Sequence, residues 1–162
     1  MEMNWIAVFV SGLSTIVVGF VWYNPKVFGT AWMKENGLTQ EELRNGNMLK
    51  IFGLTYIFSL MIVSVEMALA VHQSGAVSMI GGYPKINEAL PSFKAFMADY
   101  GMAYRTFKHG ALHGFISGLF FAFPIIAING LFERKSWKYI FIHAGFWCVS
   151  LTIIGSLICG WL

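Results

Sequence analysis

The side chains that could do chemistry in this sequence are the titratable residues inside long apolar runs. Glu66 lies in one such run, and His109 and His113 lie four residues apart in another. A carboxylate near imidazoles can exchange protons or hold a ligand by hydrogen bonds and charge. Two histidines at positions i and i+4 of a helix can also supply two ligands to a metal ion, and Glu66 or His72 could complete the set.

Three interpretations of these residues stay open on the sequence. The first is structural, with Glu66 and His113 forming an interhelical contact that stabilises packing by about 0.6 kcal/mol. The second is a proton-linked or ligand-binding role, because ionisable groups inside a membrane often mark pathways. The third, a metal site of His72, His109 and His113, has the weakest support, since no His-Glu-x-x-His motif or dense Cys/His cluster is present. We therefore expect no bound metal and no cofactor.

Small residues recur every fourth position beside the two histidines. Gly110, Gly114 and Gly118 would form one bare stripe on a helix. Such a stripe lets a second helix approach closely, either in the same subunit or in a neighbouring one. This face leads us to expect a homo-oligomer.

Polar residues continue along the same helical faces. Ser117 lies one turn beyond His113, and Ser59 shares the helical face of Glu66. This pattern argues against contact between Glu66 and lipid. The predicted intramembrane polar site is Glu66, Ser59, His109, His113 and Ser117.

Composition places the whole chain in a membrane. Hydrophobic residues make up 57% and charged residues 12% of the 162 residues, whereas soluble domains have about 25% charged residues. The net charge of +3 is small and the basic residues are scattered, so nucleic acid is not an expected partner. No phosphate loop, nucleotide fingerprint or Ser/His/Asp motif is found, which predicts that the protein is not an enzyme.

Four apolar runs are each long enough to cross the hydrocarbon core, which takes about 20 helical residues. The sequence therefore predicts an all-α fold: an integral membrane four-helix bundle in one domain of residues 1–162, with one or two short interfacial helices. The predicted spans are 4–23, 49–72, 106–131 and 137–161, with an interfacial helix at about 25–36 and a long connection over 73–105.

The predicted helices bring the acid and the imidazole to similar depths. Glu66 lies about 9 Å and His113 about 10 Å inside neighbouring span ends, at 1.5 Å per helical residue. If these spans are antiparallel neighbours, Glu66 and His113 come within reach of each other. In the connection that follows Glu66, Phe96 and Tyr100 share one face of a short predicted helix, which is either a surface connector or a lid over a site.

Loop charges predict the orientation of the chain. The connection between spans one and two and the turn between spans three and four carry seven lysines and arginines, whereas the connection between spans two and three carries four. Because cytoplasmic loops are enriched in these residues, the first two should be cytoplasmic and both termini outside the cytoplasm.

One segment resembles a known family. Gly19 and the run from Trp22 to Trp32 are similar to the Gly-x-x-Trp-Tyr-(Ser/Asn)-Pro-x-x-Phe-Gly-x-x-Trp signature of a bacterial four-span membrane family, domain of unknown function 1761. His143, Ala144 and Gly145 resemble the end of that family. The resemblance implies a four-span fold in the bacterial cytoplasmic membrane and implies no catalytic residues. The matching positions are Gly19, Trp22, Tyr23, Asn24, Pro25, Phe28, Gly29 and Trp32.

These observations favour a non-enzymatic accessory, scaffold or binding subunit that oligomerises in the bilayer. The alternative is a transporter or sensor of a small solute or of protons, in which Glu66 and His113 are the exchanging groups.

Overall fold

The computed structural model describes residues 4–162, and no strand occurs within them. Residues 1–3 of the predicted domain lie outside this description. The helices, in chain order, are α1 (Trp5–Trp22), α2 (Gly29–Asn36), α3 (Gln40–Arg44), α4 (Met48–Ala70), α5 (His72–Met79), α6 (Pro91–Tyr100), α7 (Phe107–Ser117), α8 (Phe123–Phe132) and α9 (Trp137–Gly160). A 3-10 turn (Tyr83–Glu88) precedes α6, and a π-helical turn (Gly118–Ala122) joins α7 to α8.

Four helical segments are long and apolar enough to cross a membrane: α1, α4, α9 and the composite of α7, the π turn and α8. Their ends lie within two residues of the predicted spans. The chain is therefore a multi-pass helical membrane protein, as the composition predicted.

Helix α9 forms the centre of the bundle. It packs against α1, α4, α7 and α8, and its Ile140 and Ile154 are fully buried. Ile154 belongs to a core cluster with Val63 and Ala70 of α4. The opposite face of α4 is apolar and largely exposed, which suits a helix at the rim of a bundle in contact with lipid.

The glycine stripe packs inside the subunit. A Cβ atom added at Gly118 would lie 2.6 Å from Cys148 Cα, and one at Gly114 would lie 2.8 Å from Thr152 Cα. At Gly110 the added atom would collide with the backbone of Gly155. Because real Cβ atoms keep at least 3.0 Å from such atoms, α7 and α9 can reach this separation only where the side chain is a hydrogen atom. Of the two predicted uses of the stripe, contact within the subunit is the one observed.

A π-helical turn separates α7 from α8 directly before Pro124. The Phe123 N–H group donates to Gly118 O, five residues back. Proline has no N–H group and crowds the preceding turn, so the regular ladder is interrupted here. The turn lies next to Ser117, the last residue of α7, where α7 gives way to α8.

Two short helices, α2 and α3, follow α1. The spacing of Thr39 and Glu42 in the sequence predicts a capping box, and α3 has it: the two side chains each accept from the other residue's backbone N–H. Helix α2 begins at Gly29, four residues after the predicted start. Asn24, directly before Pro25, is the N-cap that the sequence predicts. That prediction is wrong, because the Asn24 side chain accepts from Lys26 N inside a tight turn and Phe28 is the N-cap.

Candidate functional site

The candidate site lies where the ends of three helices meet. Helix α4 ends at Ala70, Val71 is extended, and α5 begins at His72. Helix α7 begins beside them, and its cap Thr106 accepts a hydrogen bond from His109 N at 3.2 Å. That cap fixes His109 in the first turn of α7, so all three histidines near this end lie close to one membrane face.

Three imidazoles converge at this face. His72 Nε2 and His109 Nε2 are joined by a hydrogen bond of 2.7 Å. The ring centroid of His113 lies 4.9 Å from that of His72 and 4.6 Å from that of His109. One nitrogen from each ring lies within 4.8 Å of the other two, and His72 is exposed. The arrangement is open to water and presents three potential metal ligands.

Tyr104 closes one side of this histidine cluster. Its ring lies 5.8 Å from the His72 ring and 5.0 Å from the His109 ring. Its backbone is left-handed, with φ of 62°, a conformation that non-glycine residues adopt mainly under local constraint. Its carbonyl oxygen accepts from Cys159 Sγ at 3.4 Å, which holds the turn against α9.

Glu66 is buried deeper in the bundle than the histidine cluster. It is only 2% exposed, and the Ser117 side chain is its polar neighbour on α7. Its Oε1 atom has no hydrogen-bond partner among residues 4–162. Ser59, two turns earlier on α4, is also buried.

The polar residues predicted as one site separate into two groups. Within the described chain, no hydrogen bond or ion pair joins Glu66 to His113. Glu66 contacts Ser117 instead, and His113 contacts His72 and His109. The reason is helical geometry: His113 and Ser117 lie one turn apart on α7, so the deeper hydroxyl meets the acid and the imidazole meets the other rings.

A lateral groove surrounds the Glu66–Ser117 pair. Its volume is about 380 Å³, within the range of small-molecule sites. Glu66 and Ser117 are its polar lining residues, and the rest of the wall is apolar or aromatic. The wall consists of Met61, Ile62, Val65, Leu69, Phe121, Ala122, Ile125, Ile126, Trp147 and Leu151.

A second cavity of about 380 Å³ lies beside the histidine cluster, under α6. His72 and Gln73 line it from α5, and Phe96 and Tyr100 line it from α6. Helix α6 therefore contributes to the wall of this cavity. Gln73 is 4% exposed, and its amide nitrogen donates to the carbonyl oxygens of Tyr100 and Ala103 at 3.0 and 2.8 Å.

The family-like motif forms a turn that fastens α1 to α9. Trp22 Nε1 donates to Ile142 O at 3.0 Å, and the Trp22 and Phe28 rings lie 4.5 Å apart. A Cβ atom at Gly29 would collide with the backbone of Tyr23. These contacts of Trp22, Phe28 and Gly29 thus stabilise a folded-back turn between α1 and α2.

Tyr23 continues this contact toward α9. Its hydroxyl lies 3.5 Å from His143 Nδ1, and its ring lies 5.2 Å from the Trp32 ring. Burial and the nearby Tyr139 phenol raise the pKa of Tyr23 above its usual value, so the phenol stays neutral. In this structure the motif side chains make packing and hydrogen-bond contacts between α1, α2 and α9.

Comparison with known protein families decides the relationship that the motif suggested. The family model described as "Protein of unknown function (DUF1761)" matches residues 6–159. The chain belongs to the DUF1761 family. The match includes the histidine cluster, Glu66 and the folded-back turn, so all three lie within the DUF1761 domain. The chain matches no curated protein and no solved structure.

Two residues beside the histidine cluster were not predicted from the sequence. Gln73 and Tyr104 lie in the long connection, where hydropathy gives no indication of burial. Gln73 directly follows His72, one of the weak metal candidates. A histidine at the end of a span followed by an uncharged amide was the signal that could have found them.

Proposed function

We propose that the protein is a non-enzymatic membrane subunit that binds an amphipathic, lipid-like molecule in the lateral groove. The observation that carries this proposal is the placement of both polar lining residues, Glu66 and Ser117, together in an otherwise apolar groove. A ligand with one hydrogen-bond donor and an apolar chain matches that distribution.

The position of Glu66 orients the ligand. Glu66 lies four residues, or about 6 Å, before the end of α4. Ile126 lies nine residues, or about 13 Å, beyond Ser117 toward the other membrane face. The donor group would therefore lie near one membrane face, and the apolar chain would extend toward the bilayer centre between Phe121 and Met61.

The unpaired oxygen of Glu66 favours a ligand that carries a hydrogen-bond donor. Ser117 is the polar neighbour of Glu66 in the groove wall, and Glu66 Oε1 has no partner within residues 4–162. An unsatisfied buried acceptor costs about 1–3 kcal/mol. A hydroxyl or primary amine on the ligand would recover that energy, whereas an ester lacks a donor.

A matched set of probes tests the groove. Dodecanol, dodecylamine and methyl laurate share chain character and differ in the polar end. Native mass spectrometry and thermal unfolding of the purified chain should show binding of the alcohol and the amine and weaker binding of the ester. Glu66→Leu, which removes the unpaired acceptor, should remove the preference for the alcohol and the amine over the ester, and Ala122→Phe should block all three by filling the groove. Glu133→Gln, at an exposed acid, is the control.

Equal binding of the three probes to the wild-type protein, or an unchanged preference for the alcohol and the amine in Glu66→Leu, would refute the assignment of Glu66. Probe binding that survives Ala122→Phe would refute the assignment of the groove.

The apolar rim supports a further part of the proposal, self-association. On α4 the exposed apolar residues that do not line the groove, such as Leu54, Ile57 and Phe58, are free for a second copy. Since the glycine stripe is used within the subunit, α4 would supply the contact between subunits. Mass photometry of the protein in lipid nanodiscs should show dimers or larger species; monomers at every protein concentration would refute self-association.

A proton-linked sensor or transporter is the second candidate function, and one observation favours it. The histidine cluster reaches from the exposed His72 to His113, and Ser117 lies one helical turn further along and contacts Glu66. These side chains form a polar series from the surface to a buried acid. Vesicles containing the protein and a trapped pH-sensitive dye should then acidify faster than vesicles containing Glu66→Gln. Equal rates would exclude proton movement through Glu66.

We propose a bacterial cytoplasmic membrane location with both termini outside the cytoplasm. The loop charges support this orientation, and Asn4 Nδ2 donates to Trp161 O at 3.4 Å, so α1 begins where α9 ends. A membrane-impermeant maleimide applied to intact cells should label Asn87→Cys and not Asn45→Cys. The reverse result would invert the orientation.

A further inference from the structure

We propose that His72, His109 and His113 form a binding site for a divalent transition-metal ion of the zinc type. The proposal does not depend on the groove around Glu66, because it concerns different residues and a different cavity. It goes beyond the proton-linked alternative, in which the same imidazoles would carry only protons.

The distances suit a metal after small side-chain movements. In a tetrahedral zinc site with Zn–N bonds of about 2.0–2.1 Å, two ligand nitrogens lie about 3.3 Å apart. The shortest separation here, between His72 and His109, is 2.7 Å, and all three ligand atoms lie within 4.8 Å of one another. The required spacing lies between these values, so rotation of the rings can reach it.

The protein groups around the three rings leave their nitrogens available to a metal ion. His72 and His109 already share one hydrogen bond, and no carboxylate in the described chain is hydrogen-bonded or ion-paired to the three rings. Neutral imidazole is a good ligand for zinc, copper and nickel. A divalent cation would use the three nitrogen lone pairs at once.

The cavity under α6 provides the fourth coordination position. His72 and the neighbouring Gln73 both line it. Gln73 Oε1 is buried and has no hydrogen-bond partner among residues 4–162, while its amide nitrogen donates to two carbonyl oxygens. Those two bonds fix which amide atom is the oxygen. An unused acceptor at this position suits a metal-bound water, which donates its hydrogens.

Access to the site is direct. His72 is exposed, and the other two histidines are partly exposed. The cluster lies at the membrane face where α7 begins, so an ion can enter from water without crossing the hydrocarbon region. The ion would join the α4–α5 junction to α7, two parts of the chain that are held together here by imidazole contacts.

The test uses the full-length, tag-free protein in detergent, with zinc and cobalt as the probe metals. After incubation with Zn²⁺ and gel filtration, elemental analysis should find about one zinc per chain. Co²⁺ should give the visible absorption of a tetrahedral nitrogen-ligated ion. X-ray absorption should show zinc–nitrogen distances of about 2.0–2.1 Å.

The chain contains a matched control. It has four histidines, and the fourth, His143, contacts Tyr23, directly after α1, and Tyr139 in α9. His72→Gln, His109→Gln and His113→Gln should each weaken zinc binding at least tenfold, whereas His143→Gln should keep it. Thermal unfolding without metal reports whether each variant is folded.

Two results would overturn the proposal. One is a wild-type protein that retains no stoichiometric zinc and gives no tetrahedral cobalt spectrum; this result needs no variant, so a misfolded substitution cannot obscure it. The other is zinc binding that persists unchanged in all three cluster variants.

Discussion

Substitution of Gly114 by alanine tests whether backbone contact between α7 and α9 sets the packing of the bundle. The new Cβ atom would lie 2.8 Å from Thr152 Cα and closer still to the Leu151 carbonyl group. Ordinary van der Waals contact begins at 3.4 Å, and the new atom would lie 2.5 Å from the Leu151 carbonyl carbon, so α7 and α9 must separate locally by about 0.9 Å or more. Both colliding groups are backbone, so rotation of a side chain cannot relieve the clash.

The expected cost follows from that displacement. Overpacking a well-packed core typically costs about 1–3 kcal/mol, and a clash between two backbones places Gly114→Ala at the upper end, about 3 kcal/mol. The intrinsic preference of helices for alanine, about 1 kcal/mol in water, offsets part of this cost and leaves a net loss of about 2 kcal/mol.

The measurement is reversible unfolding in mixed micelles, followed by circular dichroism. Gly53→Ala in α4 is the matched control, because an added Cβ atom there meets nothing within 4 Å. Gly53→Ala should keep or slightly raise the free energy of unfolding, whereas Gly114→Ala should lower it by about 2 kcal/mol. If the two variants unfold alike, α7 and α9 do not pack as described.

Three further substitutions test other contacts. Trp22→Phe should lower the free energy of unfolding by about 1 kcal/mol, because Ile142 O loses a donor; an unchanged unfolding transition would contradict this role. Gly29→Ala should displace the folded-back turn, whose backbone the new Cβ atom would meet, and should lower the thermal unfolding temperature. The Thr39 backbone N–H and hydroxyl hold the pKa of Glu42 below its usual value. The capping box therefore stabilises α3 fully at pH values above the ordinary glutamate pKa. This stabilisation is lost as the pH falls through the lowered pKa of Glu42. NMR titration of Thr39→Ala should show the Glu42 pKa moving part of the way back up, since the backbone bond remains; no movement would exclude the hydroxyl contribution.

More of the fold than of the candidate site could be predicted from the sequence. The spans followed from hydropathy because hydrocarbon excludes unpaired backbone groups and each apolar run must be helical to cross it. The capping box of Thr39 followed from local spacing. The start of α2 did not follow from local spacing. The Asn24 side chain could accept either from the helix end or from Lys26 N, and in the structure it accepts from Lys26 N.

The site depended on which helical faces meet. Four-residue spacing placed His109, His113 and Ser117 on one ridge of α7, but it could not tell which of them would face Glu66. The extended residue Val71 at the end of α4 turns His72 toward α7, and Ser117 lies at the depth of the acid. The result is a pair and a trio of polar groups, where the sequence predicted a single set.

By itself the sequence determined the membrane environment, the four crossings and the helical ridges, because these depend on local composition and on the fixed period of a helix. The tertiary structure decided that the glycine stripe packs against α9 and that three histidines share one face beside a cavity. Those outcomes depend on contacts between residues far apart in the chain, such as His72 with His109 and Gly110 with Gly155. Helical periodicity gives the direction of each side chain around its own axis but not the identity of the helix it will meet.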